Sequence, residues 1–148
     1  MDDSSARCEM GFGPHLTMDL YDCNREKLND LGFIYRLLDE LPELIGMHKI
    51  SKPHAIVQSP SEKTFDKGGV SAFVLIAESH ITIHTFVEQR HAFVDIFSCK
   101  DFDVNMAQDY FVKQLEAQRV ESNLFSRGRE FPRNIPVVEQ LVKEERTN

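Results

Sequence analysis

The chain has 148 residues, of which 41% are hydrophobic and 28% charged, and it carries a net charge of -7. A chain of that length suits one domain that buries roughly two thirds of the surface its unfolded form exposes, with no cofactor or disulfide needed merely to hold the core. The acidic balance and the lack of a long Lys/Arg cluster exclude a nucleic-acid partner. No apolar run approaches the ~20 residues of a membrane span, and the start, Met1-Asp2-Asp3-Ser4-Ser5, lacks the basic and apolar regions of a secretion signal.

Cys8, Cys23 and Cys99 are an odd number at irregular spacing, the pattern of reduced cytoplasmic thiols and not of a disulfide frame or zinc ribbon. Residues 1–13 read as a loose N-terminal arm. In His15–Tyr21 the apolar Leu16, Met18 and Leu20 alternate as in a strand. Asn24 or Asp22 can cap one amphipathic helix of four to five turns, with Leu28, Leu31, Ile34, Leu38 and Leu41 on its apolar face and an end near Pro42 and Gly46. Met47–Val57, interrupted by Pro53, suits an edge strand. Ser59–Gly68 is a surface loop carrying Phe65.

Three short strands then follow in quick succession, Val70–Ala77, His80–Glu88 and Ala92–Phe97, and an antiparallel meander joins them most economically. Alternation puts Ile81, Ile83, Thr85 and Val87 on one face and His80, Thr82, His84, Phe86 and Glu88 on the other, with Phe93, Asp95 and Phe97 opposing Val94 and Ile96 in the next strand. The aliphatic face suits covering helices, and the face collecting His, Glu, Asp and aromatics suits chemistry or a partner subunit. Asp103 caps a second helix through Val104, Ala107, Phe111 and Leu115, and Arg119–Phe125 is a last strand. Residues 129–148 form a tail in which Val137–Glu145 suits a short helix. The expected architecture is a single α+β domain, a two-layer sandwich of an antiparallel β-sheet with helices packed on one face.

The Glu78-Ser79 bond lies at a strand junction and looks buried, with His84 five residues on and Cys99 twenty residues on. By spacing alone Ser79 is a turn serine beside an ordinary strand histidine. His80, His84 and Cys99 are zinc-type ligands, but strand residues four apart lie roughly 13 Å apart, too far to share one ion, so no metal is expected. A Ser-His-acid hydrolase lacks its Gly-x-Ser-x-Gly elbow.

Gly69-Val-Ser71, the run Ala77-Glu-Ser-His-Ile-Thr-Ile-His84-Thr-Phe-Val-Glu88, and Val94-Asp-Ile-Phe-Ser-Cys99 resemble the prokaryotic S-adenosylmethionine decarboxylases, which are pyruvoyl-dependent and self-cleaving. Weaker similarity runs from about Pro14 to Gly128, the decarboxylase core. The resemblance implies that Ser79 attacks the Glu78 carbonyl, that the chain divides between Glu78 and Ser79, and that a pyruvoyl cofactor is left where Ser79 stood. It makes Ser71 and His84 assistants of that processing, with His84 moving protons. In the mature enzyme it implies a Schiff base between pyruvoyl and the substrate amine, with Cys99 as the acid that returns a proton to the α-carbon.

By the same resemblance Phe65 and Phe86 stack the adenine of S-adenosylmethionine, Glu88 holds the ribose hydroxyls, and processed protomers pair as a cytoplasmic homodimer with active sites near the interface. The resemblance makes the product the aminopropyl donor of spermidine synthesis. Many relatives read His-Thr-Trp-Pro-Glu where this chain has His84-Thr-Phe-Val-Glu88. The substrate alternatives are therefore arginine or ornithine on the same pyruvoyl scaffold. An uncleaved regulatory relative is the non-enzymatic alternative, against which Ser79, His84 and Cys99 together weigh.

Overall fold

The computed structural model describes residues 11–59 and 68–131. Its elements in order are β1 (Gly13–Tyr21), α1 (Arg25–Leu28), α2 (Leu31–Leu44), β2 (His54–Gln58), β3 (Gly69–Ile76), β4 (Ser79–Phe86), β5 (His91–Ser98), α3 (Val104–Leu115) and β6 (Arg119–Arg127). The six strands form one sheet in the order β2-β3-β4-β5-β1-β6, and every neighbouring pair is antiparallel. β3, β4 and β5 are the expected meander, and β2 is the expected edge strand, starting directly after Pro53 where the missing N–H costs no ladder bond.

Side-chain alternation decides which face is covered. Leu16, Met18 and Leu20 of β1, Val70, Val74 and Ile76 of β3, Ile81 and Ile83 of β4 and Val94 and Ile96 of β5 are buried together with Ile34, Leu37, Leu38 and Leu41 of α2 and Ala107, Phe111 and Leu115 of α3. The helices thus cover one sheet face, giving the α+β sandwich. The residues in between, Phe73 and Leu75 of β3, His84 of β4 and Phe93 of β5, stay exposed on the other face.

The structure departs from the sequence expectation in the first helix, in the stretch before β2 and at residues 11–13. The first helix is broken: Asn24 caps α1 by accepting from Lys27 N at 3.1 Å, and Asp30 starts α2 afresh by accepting from Phe33 N at 3.0 Å. A competent second cap inside an apolar repeat is enough to restart a helix. Leu31, assigned to the apolar stripe, therefore falls at the first position of α2 and is exposed. Pro42 lies inside α2, where it forfeits one bond near the helix end, and the helix stops at Leu44, before Gly46 at φ +75°.

The stretch before β2 pairs only at Lys49, which bridges to Ile76. Residues 11–13 are not a loose arm. Gly11 N–H donates to Phe131 C=O at 2.7 Å, and the Phe12 ring packs on Phe97 and Phe131 at 5.1 and 5.3 Å. Cys8, Phe65 and the Val137–Glu145 helix fall outside the described residues.

Candidate active site

The Glu78-Ser79 bond sits at the tip of the β3–β4 hairpin, whose two turn residues are Ala77 and Glu78. It is not buried: Glu78 is exposed and Ser79 half-buried. Ser79 opens β4 opposite Ile76 on one side and Ser98 on the other, and its φ of +130° lies where L-residues rarely go. Cys99, the residue after β5, clamps both backbone groups of Glu78. Its N–H donates to the Glu78 carbonyl at 3.1 Å, and its Sγ accepts from the Glu78 N–H at 3.3 Å. A carbonyl hydrogen-bonded to a backbone donor and followed by a serine is an arrangement that could serve as an acyl centre.

The imidazole beside the Ser79 hydroxyl is that of His80. Its Nδ1 lies 3.4 Å from Ser79 Oγ, and its Nε2 lies 3.6 Å from Asp95 Oδ2. Asp95 also accepts a short hydrogen bond from Thr82 Oγ1, the residue opposite it in the β4–β5 register, and contacts His15 Nε2 at 2.9 Å. Arg127 Nη1 donates to His15 Nδ1 at 3.2 Å, and the guanidinium lies 4.4 Å from the Phe97 ring centre.

Among the described residues His15, His80 and Asp95 also form the group with metal-type donors, all within 4.8 Å of one another. The hydrogen bonds read otherwise. Arginine only donates, so His15 Nδ1 accepts and its Nε2 carries the hydrogen towards Asp95. The set is a hydrogen-bonded chain flanked by a guanidinium charge, a poor place for a cation.

The structure separates the sequence-assigned residues into groups. Glu78, Ser79 and Cys99 meet at the hairpin tip. Ser71 and His84 face each other across β3 and β4, Oγ to Nδ1 at 2.9 Å, but His84 stands five residues along β4 from Ser79, roughly 16 Å away. Phe86 ends β4, packing on Phe93 at 5.3 Å, and Glu88 is exposed in the turn beyond, so both lie at the opposite end of the strand. A pocket of about 350 Å3 on the open sheet face joins His80 and Thr82 to Ser71, His84 and Phe73.

His80, Asp95, His15 and Arg127 were not assigned a role from sequence. The polar alternation of β4 and β5 carried the signal, but the Thr82-Asp95 register was needed to read it. Of the two described thiols, Cys23 is buried and its pKa is pushed up to about 11 by that burial and by nearby Asp22, which leaves it inert at neutral pH, whereas Cys99 is half-buried.

An α+β sandwich with a serine hydroxyl, a hydrogen-bonded carbonyl and a thiol at one hairpin tip fits a class of compact α+β enzymes. A family profile described as S-adenosylmethionine decarboxylase matches residues 14–128. The chain is similar to the S-adenosylmethionine decarboxylase proenzyme of Bacillus velezensis, 36% identical over 117 residues covering 79% of this chain and 86% of that protein. The proenzyme of Geobacillus kaustophilus is 35% identical over 79% of this chain and 88% of its own. The crystal structure of the Aquifex aeolicus adenosylmethionine decarboxylase superposes with a TM-score of 0.68 at 31% identity, covering 80% of this chain and 92% of that one. The chain belongs to the S-adenosylmethionine decarboxylase family and is a decarboxylase.

Proposed function

We propose that this chain is a proenzyme that cuts itself between Glu78 and Ser79 and then, as a homodimer in the cytoplasm, decarboxylates S-adenosylmethionine to the aminopropyl donor of spermidine synthesis. The observation that carries the reading is the clamp at the hairpin tip, with the Glu78 carbonyl 3.1 Å from the Cys99 N–H and the Ser79 hydroxyl beside it. The residues fit a pyruvoyl group at position 79, since its precursor serine, an oxyanion donor and a thiol converge there. Ser79 Oγ attacks the Glu78 carbonyl carbon, the Cys99 N–H holds the developing oxyanion, and the C–N bond gives way to an ester. Removal of the Ser79 α-proton expels the Glu78 carboxylate, and water then replaces the nitrogen as ammonia.

The pyruvoyl group supplies a keto carbon for the substrate amine and a sink for the electrons released with carbon dioxide. Cys99, whose Sγ lies 3.3 Å from the Glu78 nitrogen at the same tip, would return a proton to the substrate α-carbon.

The spacing on β4 supports the dimer. Ser71 and His84 do not reach Ser79 of their own chain, whereas a second copy stacked antiparallel on the open sheet face would bring its Ser71-His84 pair to the hairpin tip. The exposed Phe73, Leu75 and Phe93 give that face an apolar surface to bury. Phe86 and Glu88 of the partner subunit then border the same site. There an aromatic face suits adenine and a carboxylate accepts from two adjacent ribose hydroxyls.

Intact-mass measurement of purified protein is expected to give residues 1–78 and 79–148 as separate chains, the second blocked by pyruvoyl, and Ser79→Ala is expected to give a single chain. An undivided wild-type protein would sink the reading. Carbon dioxide release from S-adenosylmethionine, arginine and ornithine, offered separately, identifies the substrate, and release from arginine or ornithine alone would replace S-adenosylmethionine while leaving the pyruvoyl chemistry.

A further inference from the structure

We infer that His80, positioned by Asp95, is the base that takes the hydroxyl proton of Ser79 when the chain cuts itself; the inference rests on the self-cleavage reading above. His80 is the one imidazole within contact of the reacting hydroxyl among the described residues, with Nδ1 3.4 Å from Ser79 Oγ. Its tautomer is set from the other side. Asp95 Oδ2 lies 3.6 Å from Nε2, beyond hydrogen-bond length but near enough to favour the tautomer with its hydrogen on Nε2, which leaves the Nδ1 lone pair for the serine.

Asp95 is itself fixed by Thr82 on β4 and His15 on β1, and Arg127 on β6 fixes His15 in turn. The groups facing His80 are thus Asp95, the His15 ring at 6.2 Å and the Phe97 ring at 5.8 Å. A serine hydroxyl, an imidazole and a carboxylate in series are the elements of nucleophile activation, set here on two adjacent strands and aimed at the chain's own peptide bond.

In the step, the Oγ proton moves to His80 Nδ1 as Oγ bonds to the Glu78 carbonyl carbon. The oxyanion rests on the Cys99 N–H. As the carbon–nitrogen bond breaks, the proton passes from His80 to the departing Ser79 nitrogen. The ester formed is an isomer of the peptide, so nothing is gained or lost. His84, some five residues away along β4, is left for the later α-proton step, acting from the partner subunit.

The test follows cleavage, not decarboxylation. The wild-type chain and its variants are made by cell-free translation, and the yield of residues 1–78 and 79–148 is followed with time by intact mass. His80→Ala is expected to slow division at least about 100-fold, a usual contribution of a general base. It should give no ester that hydroxylamine can split, and added imidazole should restore division. Asp95→Asn, which leaves the imidazolium without its counter-charge, should slow division and move the acid limb of its pH profile to lower pH, whereas a carboxylate that merely supports the fold would lower the rate equally at every pH.

The inference is overturned if His80→Ala divides within about twofold of wild type, if it accumulates a hydroxylamine-sensitive ester, or if imidazole restores nothing. A wild-type chain that stays whole overturns the self-cleavage reading itself, so the two failures are distinct.

Discussion

Thr85 carries more of the fold than its size suggests. Its buried hydroxyl accepts from Val70 N–H at 2.8 Å and donates to Leu28 C=O at 2.8 Å, tying β4 to the start of β3 and to the end of α1. Thr85→Val keeps the shape and strands two buried backbone groups, so a loss of about 2 to 4 kcal/mol is expected as a fall in the urea midpoint. Cys23 makes the opposite case. With its thiol pushed up to about 11 from 9.0, the folded state holds a proton that the unfolded state releases, so its contribution to stability is complete below pH 9 and fades as pH rises towards 11. In the native protein at pH 8, iodoacetamide should therefore spare Cys23 while Cys99 reacts, as read by peptide mapping. At this scale the sequence was legible where a motif named an atom. Glu78, Ser79 and Cys99 meet at the hairpin tip, whereas His84, expected within reach of that bond, pairs with Ser71 further along the strands. His80 adjoins Ser79 in the chain but was passed over because Asp95 comes beside it only through the β4–β5 register, which alternation alone does not specify.

Among elements, the strands were easy to read because their period of two survives in nearly every residue from Gly69 to Ser98. The broken first helix was not, since α1 and α2 share one apolar repeat and only the competition between the Asn24 and Asp30 caps divides them. The sheet has its own tight points. Gly13 and Gly69 each begin a strand where backbone passes closely: a Cβ at Gly13 would meet Ser98 O, and one at Gly69 would meet Thr85 O, both at 1.9 Å. Gly69→Ala must push β3 away from β4 next to the Thr85 hydroxyl. A destabilisation of about 1 to 3 kcal/mol is expected in denaturant unfolding, together with slower division at the hairpin tip, because the same two strands hold the Glu78-Ser79 turn.

For the molecule as a whole, a homodimer is implied only by the family resemblance, and the spacing on β4 gives that proposal a physical reason. If Ser79 of one protomer works with His84 of the other, co-expressed Ser79→Ala and His84→Ala chains should regain cleavage that neither shows alone, because one of the two sites in the mixed dimer has both groups intact. Tagged chains analysed by mass would show the restored division confined to the His84→Ala partner, and no restoration would mean that each site is built from one chain. The strand order β2-β3-β4-β5-β1-β6 has a consequence beyond catalysis. A cut after Glu78 would assign β2, β3 and β1 to the first piece and β4, β5 and β6 to the second, with β1 held between β5 and β6 and β4 between β3 and β5. The pieces would be interleaved and unable to part without dissolving the sheet. Folding would be a one-chain event before the cut and a two-chain association after it, so a divided protein, once denatured, would recover only at a rate that rises with its concentration.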